Sequence, residues 1–357
     1  MTYKIIKFNA EQEEPLNKFL NLPTRIYSKK EIIQNRREEI ELLKGTHILS
    51  KYFKVCPFIA VDESNMISAR CIVTLYPEKK CAYIGFFECI NDDSAAHEIL
   101  SEAEKYSVEM GYKSIVGPVD CSFWIRYRLK VNMFGTPYSG EPYNKSYYES
   151  FFEKNGYNVC GEYISNRFRK VKKTYHNEKF EERLTKMITN GYEFISPKSA
   201  TFDKTLREIY SLLIELYSDF QTYSRITETE FVSLYSPLKK IVNYSMIKCA
   251  YYQGKPVGFF VSVPNFGNNA SGKITLKKLV KIMNKKINCD DYVMLYMGVD
   301  PKHRGLGKAL AETICCELTN NQATSTGALI RRGKINGGYF NELVDFEYQY
   351  RLYEKSL

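Results

Sequence analysis

Tyr296 to Glu312 reads YMGVDPKHRGLGKALAE. An apolar run breaks at Asp300-Pro301, turns basic and glycine-rich through Arg304-Gly305-Leu306-Gly307-Lys308, and continues with helical spacing. A strand that ends in such a turn and enters a helix leaves the first helical N–H groups unpaired, at the positive end of the helix dipole. Glycine at 305 and 307 removes side chains that would hold a phosphate off the backbone, and Arg304 and Lys308 add charge. The stretch therefore reads as an anion site. A second stretch, IGFFECINDDSAAHEILSEAE from Ile84 to Glu104, has the same outline of strand, break and helix, with acids at its break.

The two stretches are parts of a longer repetition. In the first half, FIAVDESNMISARCIVTLYP reads as strand, turn, strand, and CAYIGFFEC as a further strand. A helix over Asn91 to Met110 follows, stopped by Gly111, then the strand KSIVGPV, and NKSYYESFFEKNGYNV as helix, glycine stop and strand. The second half repeats the order. SMIKCAYYQGKPVGFFVSVP gives the hairpin and DYVMLYMGV the strand, Gly307 to Asn320 the helix, GALIRR the next strand, and NGGYFNELVDFEYQYRLYEK the closing helix and strand. Ahead of that hairpin, helices are predicted over Phe202 to Phe220 and Glu228 to Leu238. A repeat of roughly 170–180 residues predicts a duplicated fold, with domains at 1–175 and 190–357 and a charged linker near Val171 to Thr189 between them.

One segment has no counterpart. Residues 265–291 insert a helix with Leu276, Val280, Met283 and Ile287 on one face and Lys273, Lys277, Lys281 and Lys285 on another. A lid packed on its own domain is the expectation, because the apolar stripe lacks the Trp or Phe of a membrane-surface helix.

Bulk composition narrows the class. The chain has 357 residues and a net charge of +10, from 51 basic and 41 acidic residues, which favours anionic ligands. No apolar run is long enough to span a bilayer, and the N-terminus lacks a signal-peptide profile, so a soluble, cytoplasmic protein is expected. The ten cysteines form no CxxC pair and the four histidines no HxxxH, so no metal site is expected. The basic stretches at 167–186 and 273–286 read as solvated faces, and neither nucleic acid nor membrane is an expected partner.

Phosphate-binding patterns can be tested on the opening stretch. The GxxxxGK pattern followed by Ser or Thr fails at Ala309, and GxGxxG fails at Leu310, where its third glycine should stand. Val299-Asp300-Pro301 followed by Arg304 to Ala309 instead resembles the Q/R-x-x-G-x-G/A signature of the GNAT superfamily of acyl-CoA-dependent N-acyltransferases, with Arg304, Gly307 and Ala309 at its defined positions. FFEKNGY at Phe151 to Tyr157 resembles the closing segment of the same superfamily, so the first half also looks like a GNAT domain. Its break, Ile90 to Ser94, has no glycine and two carboxylates, which makes that domain a degenerate one.

The resemblance implies an α/β (α+β) fold of two tandem GNAT-like domains, each a mixed, mostly antiparallel sheet flanked by helices. It implies acetyl-CoA or another acyl-CoA as cosubstrate, held by the backbone of Met297, Gly298 and Val299 and by Arg304, Gly305, Leu306, Gly307, Lys308 and Ala309. The acceptor would be a small-molecule or peptide amine, and an acyl carrier protein is an alternative donor. Where the superfamily often has an acid tyrosine, this chain has Asn341, so Tyr296 and Tyr339 become the candidate proton donors. Glu228, Glu230, Asp290 and Asp291 are candidates for lining the amine site. Two other readings stay open: a tRNA-dependent aminoacyl transferase of tandem GNAT-like type, and a non-catalytic acyl-CoA sensor.

Overall fold

The structure, a computed structural model, describes residues 2–220, 222–270 and 275–357; Lys273 of the insertion lies outside them. The chain forms two compact units. Unit 1 runs to Glu162 and includes Gln349–Leu357, and unit 2 comprises Tyr163–Ala270 with Thr275–Tyr348.

Unit 1 opens with β1 (Lys4–Lys7), α1 (Glu13–Ile26) and α2 (Arg36–Leu43), then the meander β2 (Lys54–Val61), β3 (Ile67–Leu75) and β4 (Cys81–Cys89). All nine positions of β3 are buried, as in a strand covered on both faces. α3 (Asp93–Glu109) follows, capped by the Asp92 carboxylate, which accepts from the Ala95 N–H at 2.9 Å. Then come β5 (Ser114–Gly117), β6 (Val119–Asp120), β7 (Arg126–Tyr127), β8 (Leu129–Lys130) and α4 (Tyr148–Lys154). The core joins Phe58, Val73, Ile84 and Phe87 of the sheet to Ile99, Leu100 and Phe152.

β9 (Asn158–Phe168) carries the chain into unit 2, which continues with α5 (Glu178–Thr189), β10 (Tyr192–Ile195), α6 (Phe202–Leu216) and α7 (Glu228–Tyr235). The hairpin β11 (Ile247–Tyr252) and β12 (Lys255–Pro264), the inserted α8 (Leu276–Ile287), β13 (Asp291–Val299), α9 (Leu306–Asn321), β14 (Thr324–Arg331) and β15 (Val344–Ser356) complete it. The unit 2 sheet runs β9-β14-β13-β12-β11-β10, antiparallel except for β13–β14. The fold is the expected mixed sheet flanked by helices.

Four features depart from the sequence reading. The compact units do not follow the 1–175 and 190–357 boundaries, because each takes its closing strand from the other half of the sequence. Ser325 to Arg331 of β14 pair with β9, and Tyr353 to Ser356 of β15 pair antiparallel with β5. Secondly, the charged segment before 190 contains α5, whose Phe180 and Met187 are buried. Thirdly, among the described residues no α-helix lies between β14 and β15: two glycines at 337 and 338 and a left-handed Phe340 allow only short 3₁₀ turns. Lastly, α8 buries only Ile282, and its predicted apolar stripe is exposed instead of covered.

Candidate functional site

In unit 2, β13 pairs with β12 along its length, from Pro264↔Tyr292 to Gly258↔Val299. With β14 it pairs only over Asp291↔Thr324 to Met294↔Gly327. Beyond Met294 the two parallel strands part, so Leu295 to Val299 have no strand partner on that edge among the described residues. Backbone N–H and C=O groups left open in this way are ready for a ligand that carries amides. A parting strand pair also occurs in unit 1, where β4 and β5 pair only from Cys81↔Ser114 to Tyr83↔Val116. There the gap is filled. A Cβ at Gly85 would stand 2.0 Å from the Val119 carbonyl oxygen, and the Phe86 N–H donates to Asp120 Oδ1 at 2.5 Å.

The loop after β13 is built from its own turns. The Asp300 N–H donates to the Val257 carbonyl, Asp300 Oδ1 accepts from the Lys302 N–H at 2.9 Å, and the His303 N–H closes onto the Asp300 carbonyl. His303 Nδ1 meets the Tyr192 hydroxyl at 2.7 Å beside the stacked pair Tyr192–Tyr252, which ties the loop to β10 and β11. Gly305 then turns the chain at φ +87°, as the N-cap of α9. Among the described residues the Gly307 N–H takes no backbone carbonyl, and the Leu306 and Lys308 N–H groups make only long turn contacts of 3.2 Å. The turn at the start of α9 thus leaves the Gly307 N–H without a backbone acceptor among the described residues.

Its walls come from elements that the motif does not contain. A Cβ at Gly307 would lie 2.8 Å from Tyr339 Oη and 2.9 Å from Met297 Cε, while one at Gly305 would lie 3.0 Å from an Arg183 guanidinium nitrogen. Lys308 Nζ stands 5.6 Å from the Phe180 ring, and Tyr339 packs edge-on against the same ring at 5.3 Å. Burial raises the Tyr339 phenol above its ordinary value of 10. Arg183 and Phe180 belong to α5. Its apolar stripe, Phe180, Leu184 and Met187, was legible at spacings of four and three but diluted by the surrounding charges.

Met297 faces α9, and the place of a Gly298 Cβ is taken by Phe259 and Leu216 of the opposite face, so α9 and α6 cover opposite faces of β13. Tyr296 lies on the α6 side, its hydroxyl 3.3 Å from that of Tyr235, whose phenol is raised well above 10 by burial and by Tyr296. The two candidate acids are therefore not brought together: Tyr339 stands at the loop and Tyr296 on the far face of the strand. Asn341 is exposed. The four carboxylates proposed for an amine site all have structural partners. Glu228 pairs with Arg207 at 3.0 Å, Glu230 completes the cap of α7, Asp290 pairs with Lys285 at 2.5 Å, and Asp291 with Arg167 at 2.6 Å.

At the matching place in unit 1, the Asp92 carboxylate occupies the α3 N-terminus, held below its ordinary range by the Ala95 N–H. Among the described residues no group of His, Cys, Asp or Glu side chains could hold a metal ion, and no helix is long and apolar enough to cross a membrane.

No family model matches the sequence, and no curated protein matches it. Solved structures do resemble it. A tandem GNAT protein from the clavulanic acid biosynthesis pathway, solved without acetyl-CoA, superposes with a TM-score of 0.56 at 10% identity, covering 99% of this chain and 98% of that one. A GCN5-related N-acetyltransferase from Sphaerobacter thermophilus gives 0.53 at 9% identity, over 99% and 95% of the two chains. A GCN5-related glucosamine N-acetyltransferase region of a fungal multi-domain β-N-acetylglucosaminidase gives 0.54 at 13% identity, over 99% of this chain and 38% of that one. With its parted strands, glycine loop and duplicated order of elements, the chain has the tandem GNAT fold.

Proposed function

We propose that unit 2 is an acyl-CoA-dependent N-acyltransferase, most simply an N-acetyltransferase, moving an acyl group from a thioester to a primary amine of a small molecule or peptide. The observation that supports this reading is the Gly305–Gly307 cradle at the end of a strand whose adjacent edge is unpaired. In this reading acyl-CoA supplies the activated carbonyl. The N–H groups of Gly305 and Gly307 and the positive end of α9 hold the diphosphate, with Arg304, Lys308 and Arg183 neutralising it. The open backbone of Met297 to Val299 holds the pantetheine amides and polarises the thioester carbonyl, which lowers the barrier to direct attack by the amine. The new C–N bond forms, the C–S bond breaks, the nitrogen loses one proton and the thiolate takes one up.

Tyr339 Oη lies beside Gly307, which supports a part in binding at the diphosphate end in this reading. Tyr296, on the strand itself, is the better candidate to protonate the thiolate. The helical insertion gives no support to tRNA-dependent aminoacyl transfer, since α8 is a single helix of 12 residues and not a coiled-coil arm.

Isothermal titration with acetyl-CoA tests the reading. The native protein is expected to bind, and Gly307→Glu, which puts a carboxylate into the cradle, to bind at least about 100-fold more weakly, a difference of about 2.7 kcal/mol. Absence of binding, or equal affinity in the variant, refutes the reading.

A further inference from the structure

We propose that α8 docks this protein on an anionic lipid bilayer, an inference of which only the exclusion of a carrier protein rests on the acyltransferase reading. Leu276, Leu279, Val280, Met283 and Ile287 are between 43% and 79% exposed. They fall within an arc of roughly 100° on the helix, at 100° per residue. Five of the fourteen exposed large apolar side chains among the described residues thus lie on three turns of one helix. The helix sequence, LKKLVKIMNKKI, carries five lysines and no acid. Ile282 is its single buried residue, and it fixes the helix with the apolar stripe turned outward. Lys277 borders the stripe and Lys281 stands on the adjoining face of the helix, both of them exposed. A cavity of about 340 Å³ lined by Lys281, Lys285, Asn265, Asn269, Asn284 and Asn288 opens beside α8, where Lys285 pairs with Asp290 and the amides of Asn265, Asn269 and Asn288 donate to other groups of the chain.

Charge selects the occupant. A second copy of the chain would bring five lysines against five, which is repulsive. A nucleic acid would meet the lysines but leave the apolar stripe in water. An acidic carrier protein satisfies charge but not position. α8 leads directly into the start of β13, whereas the pantetheine arm would enter at the loop after Val299, about 26 Å away along the strand at roughly 3.3 Å per residue. A bilayer with anionic headgroups satisfies both faces, taking the apolar stripe to the acyl boundary and the lysines to the headgroups. The stripe lacks Trp and Phe, so its hold on neutral lipid is weak and the anionic charge is required.

Co-sedimentation of the full chain with vesicles tests this. Binding to vesicles containing phosphatidylglycerol and not to pure phosphatidylcholine is expected. Lys277→Gln with Lys281→Gln is expected to weaken partition about 25-fold, at about fivefold per lysine. Val280→Glu with Met283→Glu, both at exposed positions, is expected to abolish binding while the circular dichroism spectrum stays native. The proposal is overturned by lack of binding to the anionic vesicles, by binding that survives Val280→Glu with Met283→Glu, or by equal binding to both lipids. A dimer or a carrier-protein complex that these substitutions disperse, formed by a protein that ignores vesicles, overturns it as well.

Discussion

Gly305 and Gly307 stand two residues apart and serve by different physics. Gly305 has φ +87°, where a β-carbon costs about 1–2 kcal/mol, whereas the Cβ site of Gly307 is closed by Tyr339 Oη and Met297 Cε. Gly305→Ala is therefore expected to lower the stability of unit 2 by about 1–2 kcal/mol, read from the shift of its urea transition. The Arg183 guanidinium at 3.0 Å is the far end of a flexible side chain and can move, so it adds little to that cost. Both glycines were legible in the sequence as a pattern. The partners that close in on them, Arg183 and Tyr339, lie more than thirty or a hundred residues away in the chain and were not.

The elements around the loop show how much of a site lies outside its motif. α5 packs on α9, and between them lies Glu312, which is 5% exposed, with Oε2 unpaired and Oε1 accepting from Cys316 Sγ at 3.5 Å. Burial raises its carboxyl above the ordinary 4.5, and nearby Glu181 adds to the shift. A carboxyl raised in the folded state is at no disadvantage below pH 4.5 and weighs against folding as pH climbs through the folded value. Glu312→Met is accordingly expected to raise Tm by roughly 2 °C at pH 8 and to leave it unchanged below pH 4.5, as measured by thermal scans at the two pH values. α8 teaches a related lesson. Its amphipathic period was plain in the sequence, yet periodicity gives only an apolar face and not whether anything covers that face.

On the scale of the whole molecule, the closing strands change partners between sequence and structure. Tyr350 and Tyr353 of β15 are buried in unit 1, where Tyr350 Oη donates to Glu141 Oε1 at 2.6 Å and Glu141 pairs with the fully buried Lys130, also at 2.6 Å. Removing Gln349–Leu357 would open the β5 edge and strip a partner from that buried ion pair. The truncated chain is expected to expose unit 1 to protease, with early cleavage within residues 2–162 although the deletion is at the other end of the chain. Limited proteolysis with mass spectrometry reads this directly, and a protected unit 1 would show that β15 is dispensable there.

By itself the sequence determined the duplication, most of the strands and helices but neither α5 nor the lack of a helix between β14 and β15, and the glycine-rich turn at Arg304 to Ala309, because these rest on local periodicity and on glycine and charge within a few residues of one another. It also set the two halves apart by their breaks, with glycines and cations at Arg304 to Lys308 against two carboxylates at Ile90 to Ser94. Only the tertiary structure decided that the gap in unit 1 is filled by Val119 and Asp120 while the edge of Leu295 to Val299 stays open, and that each unit borrows its last strand. It likewise placed Arg183 and Tyr339 at the cradle. Strand partners and side-chain neighbours are chosen by packing between distant segments, and a one-dimensional pattern records which face is apolar without recording what it meets.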